Sequence, residues 1–235
     1  MNTMFKKGVL ASVLAVAASS ALAASSVDIQ VTGKIVPSSC TPAFISGGGI
    51  ADYGTMKVAS LNSTTATPLA DIKTIPISIT CEEATRIGVT FSDVHDSSAP
   101  TENMPVSFVS DDFGITPEYT FGLGMYNDKK IGAYALGMAT DTGNVTNEAG
   151  DTLYPTYSFD GGVNWATKAG SHYIQIKSDK SEIFSFSSTL GGTPVPQTKV
   201  NFNVGVAAMI NPTNDLNITD EATLDGLTTV ELVYL

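Results

Sequence analysis

The sequence predicts an all-β fold, a sandwich or a barrel. Three observations carry this reading. Short runs of alternating apolar residues recur from end to end, Gly- and Pro-rich turn clusters separate them, and no segment beyond residue 23 sustains a helical period.

Val27-x-Ile29-x-Val31-x-Gly33-x-Ile35 comes first. Its two-residue period puts five positions on one face of a β-strand. Ile75, Ile77, Ile79 and Cys81 form the next strand. Pro76 is expected to start it or to lie at an edge, because proline donates no ladder hydrogen bond. Ile87, Val89 and Phe91 alternate, as do Tyr134, Leu136 and Met138, and then Phe184 with Phe186. The longest run is Val200, Phe202, Val204, Val206 and Ala208, and Val230, Leu232 and Tyr234 close the chain. Turn clusters stand at Gly47-Gly48-Gly49, Asp141-Thr142-Gly143-Asn144, Asp160-Gly161-Gly162 and Gly191-Gly192-Thr193-Pro194. The segment from about 92 to 170 is richer in Asp, Asn, Gly and Pro. It reads as an elaboration of one domain rather than a separate insert.

Residues 1–23 read as a secretory signal: Lys6 and Lys7, an apolar centre from Gly8 to Ala18, and the small-residue site Ala21-Leu22-Ala23. The apolar stretch falls short of the roughly 20 residues a bilayer span needs. Export is therefore expected, with 24–36 as an N-terminal extension and 37–235 as a single domain. Without Lys6 and Lys7, 10 basic residues face 23 acidic ones, a net charge of −13. Such a surface repels phosphate backbones, which argues against a nucleic-acid partner. Cys40 and Cys81 are the only cysteines. In an exported chain they are expected to form one disulfide, worth roughly 4 kcal/mol on the chain-entropy account.

The alternating extension with its central Gly33, followed by Cys40, resembles the start of chaperone–usher pilus subunits, the pilins. Asp52-Tyr53-Gly54 stands where pilins often carry an Asp-Phe-Gly-like turn, Cys81 closes a strand, and a penultimate tyrosine, Tyr234, ends the chain. Cys40-Thr41-Pro42, Gly47-Gly48-Gly49-Ile50-x-Asp52-Tyr53-Gly54, Phe121-Gly122-Leu123-Gly124, Lys130-Ile131-Gly132 and Val233-Tyr234-Leu235 are similar to the GltF-like fimbrial-type periplasmic proteins. The resemblance covers nearly the whole chain after the leader. Two departures stand out: the chain is longer than a common pilin, and Gly226 is the nearest counterpart of a glycine that pilins carry near their last strand.

The resemblance implies an immunoglobulin-like sandwich lacking its final strand, with a groove beside the C-terminal strand. A periplasmic pilus chaperone would fill this groove first, and the N-terminal strand of a neighbouring fimbrial subunit would then replace it at the outer-membrane usher. The donor residues would be Val27, Ile29, Val31, Gly33 and Ile35. Val230, Leu232 and Tyr234 would pair with the chaperone, whose basic residues would hold the carboxylate of Leu235. Four buried aliphatic side chains at ~1.5–3 kcal/mol each give roughly 6–12 kcal/mol before ordering costs. The implied location is the periplasm in transit and then a cell-surface fimbria, in an internal or adaptor position.

Other motifs are read structurally. Ser158-x-Asp160-x-Gly162-x-x-Trp165 fits a hairpin of the Asp-box type. Asp93, His95 and Asp96 lack a nucleophile elbow or metal-ligand spacing, and the Gly47–Gly49 run lacks the Lys and Ser/Thr of a phosphate loop. Neither a cofactor, a metal nor catalysis is expected. Two alternatives remain. A receptor-binding subunit would hold a host glycan or protein through Tyr119, Tyr126, Tyr157 and Trp165. A self-contained periplasmic domain would instead pair its N-terminal strand within its own sandwich.

Overall fold

A computed structural model describes residues 27–35, 39–103, 116–168 and 170–235; the expected leader lies outside them. In chain order the strands are β1 (Cys40–Phe44), β2 (Thr67–Pro68), β3 (Lys73–Thr85), β4 (Ile87–Asp93), β5 (Thr120–Gly122), β6 (Met125–Tyr126) and β7 (Lys129–Lys130). There follow β8 (Gly132–Ala139), β9 (Val145–Asn147), β10 (Tyr154–Ser158), β11 (Tyr173–Gln175), β12 (Ile183–Ser187), β13 (Gln197–Ile210) and β14 (Thr228–Tyr234). A four-residue helix, α1 (Thr213–Leu216), and a few 3-10 turns are the helical content among the described residues. The protein is all-β, as the alternation predicts.

The larger sheet runs β1-β3-β13-β8-β11, with β2, β5 and β9 extending it, and the smaller runs β10-β12-β4-β14. Both are antiparallel and open. Their inner faces share one core: Phe186 of β12 lies 5.3 Å from Phe202 of β13, and Phe91 meets Phe184 edge-on at 6.3 Å. Such aromatic contacts stabilise beyond the area they bury. Along β13 every second residue from Val200 to Ala208 is buried in this core.

Four features differ from the sequence reading. First, Pro76 neither starts β3 nor lies on an edge strand. It sits between β1 and β13, opposite Asn203. Its carbonyl accepts from Ile45 N–H at 2.9 Å. In an antiparallel strand a residue's N–H and C=O point the same way, so the missing N–H faces the β1 side and the β13 ladder loses nothing.

Second, β8 is buried at all eight positions rather than at alternate ones. Ala133 and Ala135, with Ala207 and Met209 of β13, form a second cluster under Ala66, Tyr119 and Tyr173. The Tyr173 side chain lies on Gly137 and Gly205, where an added Cβ would come within 2.9 Å of its Cβ and 2.6 Å of its ring. Third, the segment 92–170 supplies β8 and the edge strand β10, so it builds both sheets and is more than an elaboration.

Fourth, residues 27–35 have no regular secondary structure. An extended segment becomes a strand only when its N–H and C=O groups find a ladder, so alternation alone is insufficient. Contacts divide the chain between Val36 and Pro37.

Cys40 and Cys81 are bonded and sit opposite each other in the β1–β3 register. The expected disulfide is present and pins β1 to the sheet. Replacing both cysteines with serine is expected to lower stability by about 2–4 kcal/mol, read as an earlier urea midpoint. An unchanged midpoint would mean that β1 is held without the bridge.

An apolar groove beside the C-terminal strand

β14 pairs with β4 from Thr228↔Asp93 to Tyr234↔Ile87. Val230, Leu232 and Tyr234 stand level with Phe91, Val89 and Ile87 and so share their inward face. Val230 and Leu232 are half-buried and Tyr234 is exposed. The other side of β14 carries no ladder among the described residues. In the larger sheet, β1 is likewise terminal.

The two end strands meet at one point, where Cys40 N–H donates to Tyr234 Oη at 2.9 Å. Away from that bond a groove of about 560 Å³ opens. Its floor is the inward face of the larger sheet: Tyr134 and Leu136 of β8, with Val204, Val206 and Ala208 of β13. Phe44, Ile50, Ala51 and Tyr53 form one wall, and Leu224, Gly226, Leu227 and Val230 form the other. Phe44, Ile50 and Leu227 are exposed at the rim. Both walls and the floor are apolar, the composition expected of a cleft that takes an apolar occupant.

Local chemistry builds each wall. Gly54 N–H donates to Asp52 Oδ1 at 2.7 Å, an Asx turn that needs the positive φ of Gly54, +66°. The turn aims Tyr53 at β13, where its hydroxyl donates to the Val206 carbonyl at 2.9 Å. Burial, reinforced by Asp71, pushes the Tyr53 phenol up to about 12, so it remains a donor across the physiological range. The Lys73 ammonium lies 5.4 Å above the same ring. Phe44 packs on Gly49, where a Cβ would be 2.4 Å from the ring.

On the opposite wall Gly226 rests on the Tyr134 ring, and a Cβ there would come within 2.7 Å of it. The Tyr134 and Thr228 hydroxyls share a hydrogen bond of 2.7 Å, and Phe121 stacks on Tyr134 at 5.1 Å. Burial raises the Tyr134 phenol strongly.

Among the residues singled out from sequence, Val230 and Gly226 line the groove, Cys40 and Tyr234 join the two end strands beyond it, and Leu232 lies between on β14 opposite Val89. Leu235 ends the ladder, its N–H donating to the Arg86 carbonyl at 3.1 Å. Val27, Ile29, Val31 and Ile35 are 89, 91, 92 and 103% exposed, and nothing lies within 4 Å of a Cβ at Gly33. Phe44 and the floor of β8 and β13 were not legible as a site. The floor residues read as ordinary strand positions, and the Asp52-Tyr53-Gly54 turn read as a point of likeness to pilins rather than as a wall.

The candidate receptor aromatics do not form one exposed patch. Tyr126 is buried, hydrogen-bonded to Asp220 and 3.3 Å from Thr219 Oγ1. Tyr119, Tyr157 and Trp165 are half-buried. Trp165 belongs to the expected hairpin, its indole N–H donating to the Gly162 carbonyl at 2.9 Å. Asp160 fixes that turn by accepting from the N–H groups of Val163 and Asn164 and from Ser158 Oγ, bonds that hold its carboxyl down to about 2. Asp93 is a backbone clamp, accepting from His95 N–H at 2.9 Å and Gly122 N–H at 2.7 Å. Burial raises its pKa, and those two bonds partly offset the rise. Among the described residues no cluster of three metal-binding side chains occurs.

Protein GltF of Escherichia coli K12 is 30% identical over 254 aligned positions, covering 98% of this chain and 99% of that protein. The chain belongs to the GltF family. The uncharacterized protein YhcF of the same organism is 30% identical over 230 positions, covering 93% of this chain and 94% of its own. A family described as "Protein of unknown function (DUF1120)" matches residues 29–135. In the GltF-family protein described here, that match runs from the alternating N-terminal segment through the Tyr53 wall into β8.

Tyr234→Phe removes the acceptor that joins the two end strands. Stability is expected to fall by about 0.5–1.5 kcal/mol in urea unfolding. An unchanged midpoint would mean that packing alone closes that end.

Proposed function

We propose that this protein is a structural subunit of a chaperone–usher fimbria, assembled by donor-strand exchange. The observation that carries this reading is the apolar groove beside Thr228 and Val230 on the unladdered side of β14, walled opposite by Phe44 of the other end strand, β1. An extended segment lying there would complete the hydrogen bonding of β14 and cover the floor of β8 and β13. This is strand addition, in which main-chain bonds give affinity and alternate side chains give register.

The chain itself carries a segment of the required form. Val27, Ile29, Val31 and Ile35 alternate and are exposed, and Gly33 leaves a gap where the occupant must lie shallow. On this reading each subunit offers its segment to the groove of a neighbouring subunit. The similarity of the extension, the cysteine pair and the terminal tyrosine to pilins supports the same conclusion. An open groove exposes apolar surface and an unpaired edge, which favours aggregation in a free subunit. A periplasmic pilus chaperone would therefore occupy it in transit, with its basic residues on the Leu235 carboxylate. Exchange would follow at the outer-membrane usher, and the product would be a cell-surface fimbria.

The alternative of a receptor-binding subunit has less support, because the aromatics it would use are buried or half-buried. The self-contained alternative predicts a domain indifferent to added strands. The test is the melting temperature of a variant lacking residues 24–36, with and without a peptide of those residues. A rise of several degrees on adding the peptide is expected, and it should vanish when Ile29 and Val31 of the peptide become Asp. Equal melting temperatures with and without the peptide would overturn the proposal.

A further inference from the structure

Residues 176–182 join β11 to β12 and strap three parts of the domain together. Ser178 N–H donates to the Glu118 carbonyl at 2.9 Å, beside the 3-10 turn at Pro117–Tyr119. Asp93 N–H donates to the Ser178 carbonyl at 2.8 Å, and Lys180 N–H donates to the Phe91 carbonyl at 3.0 Å, so the strap lies along the end of β4. The Lys180 ammonium reaches Glu231 of β14 at 2.5 Å. Phe91 also lines the groove. The strap thus grips the strand that carries β14.

Glu182 ends this strap and is 3% exposed. Among the described residues a single hydrogen bond reaches its carboxyl, from Lys177 N–H to Oε2 at 3.1 Å. The nearest cation is committed elsewhere: the Lys177 ammonium lies 4.0 Å from Glu118 and over the rings of Tyr119 and Phe159, at 5.6 and 5.0 Å. The Lys177 charge still favours the ionised carboxyl, though less than burial disfavours it, and Asp179 of the strap adds a smaller repulsion. The charged and titratable groups around this end of the core are thus Lys177, Asp179 and Lys180 of the strap itself. Glu118 and Tyr119 of the 3-10 turn, Tyr157 of β10, Asp93 of β4 and Glu231 of β14 complete the set. None forms an ion pair with Glu182 among the described residues. A carboxylate so enclosed is costly to ionise in place, and moving the strap toward water relieves that cost.

We infer that Glu182 is a protonation-controlled latch: neutral, it lets the strap close on β4, and ionised, it loosens the strap and with it the β4–β14 pair that walls the groove. Burial pushes the Glu182 carboxyl up to about 7. A group that holds its proton more tightly folded than unfolded contributes stability that is fully present below the unfolded value near 4.5. That contribution is lost as pH rises from there through about 7. The domain is therefore firmer in mild acid and looser just above neutrality. The inference stands on the strap's geometry and does not depend on what occupies the groove.

Hydrogen exchange of the mature chain, corrected for intrinsic rates, reads the latch directly. Between about pH 5.5 and about pH 8.5 the protection of residues 177–182 and of 91–93 is expected to fall by about tenfold or more, with a midpoint near 7. In Glu182→Gln the protection should stay high and nearly flat. Asp93 is retained in that variant, so any residual slope belongs to it. A flat wild-type profile, or an equal slope in Glu182→Gln, would overturn the inference. Should the variant fail to fold, a carbon-detected titration of the Glu182 carboxyl in the wild type decides. A midpoint near 7 upholds the latch, and one in the ordinary carboxylate range overturns it.

Discussion

β14 finds hydrogen-bond partners on β4 along one side, and among the described residues its other side borders an apolar gap rather than a strand. Much of the domain follows from that arrangement. A sheet edge over a hydrophobic floor tends to be covered, so its neighbours must either close over it or hold it open. Here they hold it open. The disulfide fixes β1 to β3, and the Cys40–Tyr234 bond joins β1 to β14 at one end only. The Tyr53–Val206 bond and the Phe44–Gly49 contact then keep the far wall apart from β14.

The strands that floor the groove, β8 and the second half of β13, are also buried on both faces. Their inward faces meet the shared core, and their outward faces lie under Tyr119 and Tyr173. Being covered on both sides makes the floor a rigid base, because close-packed side chains transmit strain rather than absorb it. Small residues make this possible. Alanine at 133, 135 and 207 and glycine at 137 and 205 let a second layer approach the sheet. Opposite this rigid side, the β4–β14 pair is held by a strap with a buried carboxylate at its end, so one groove wall is fixed and the other is adjustable.

Membership in the GltF family rests on identity along nearly the full length and names no activity. The region matched by the family description, 29–135, includes the alternating segment, the Tyr53 wall and the start of β8. It stops before β13 and β14, the strands that complete the floor and supply the open edge. A reading of this protein confined to that region would miss the geometry on which its proposed role depends.

The sequence by itself determined the fold class, the alternating strands after Cys40, the disulfide, the Asp160 turn and the terminal strand, though not the state of the alternating segment 27–35. Each of these is local: a period of two, a turn residue at a fixed offset, or two cysteines without competitors. Tyr234 was also legible as a point of likeness to pilins, and Gly226 as a departure from them. Tertiary structure alone decided which strands end their sheets, since pairing order depends on partners far apart in the chain. It decided that Pro76 could sit inside a sheet, because only the facing of its carbonyl reveals which ladder lacks a donor. It turned the inward residues of β8 and β13 from ordinary core into a groove floor, which no periodicity distinguishes. It also enclosed Glu182 with no ion pair among the described residues, and an acidic residue before a strand gives no sign in sequence of whether water will reach it.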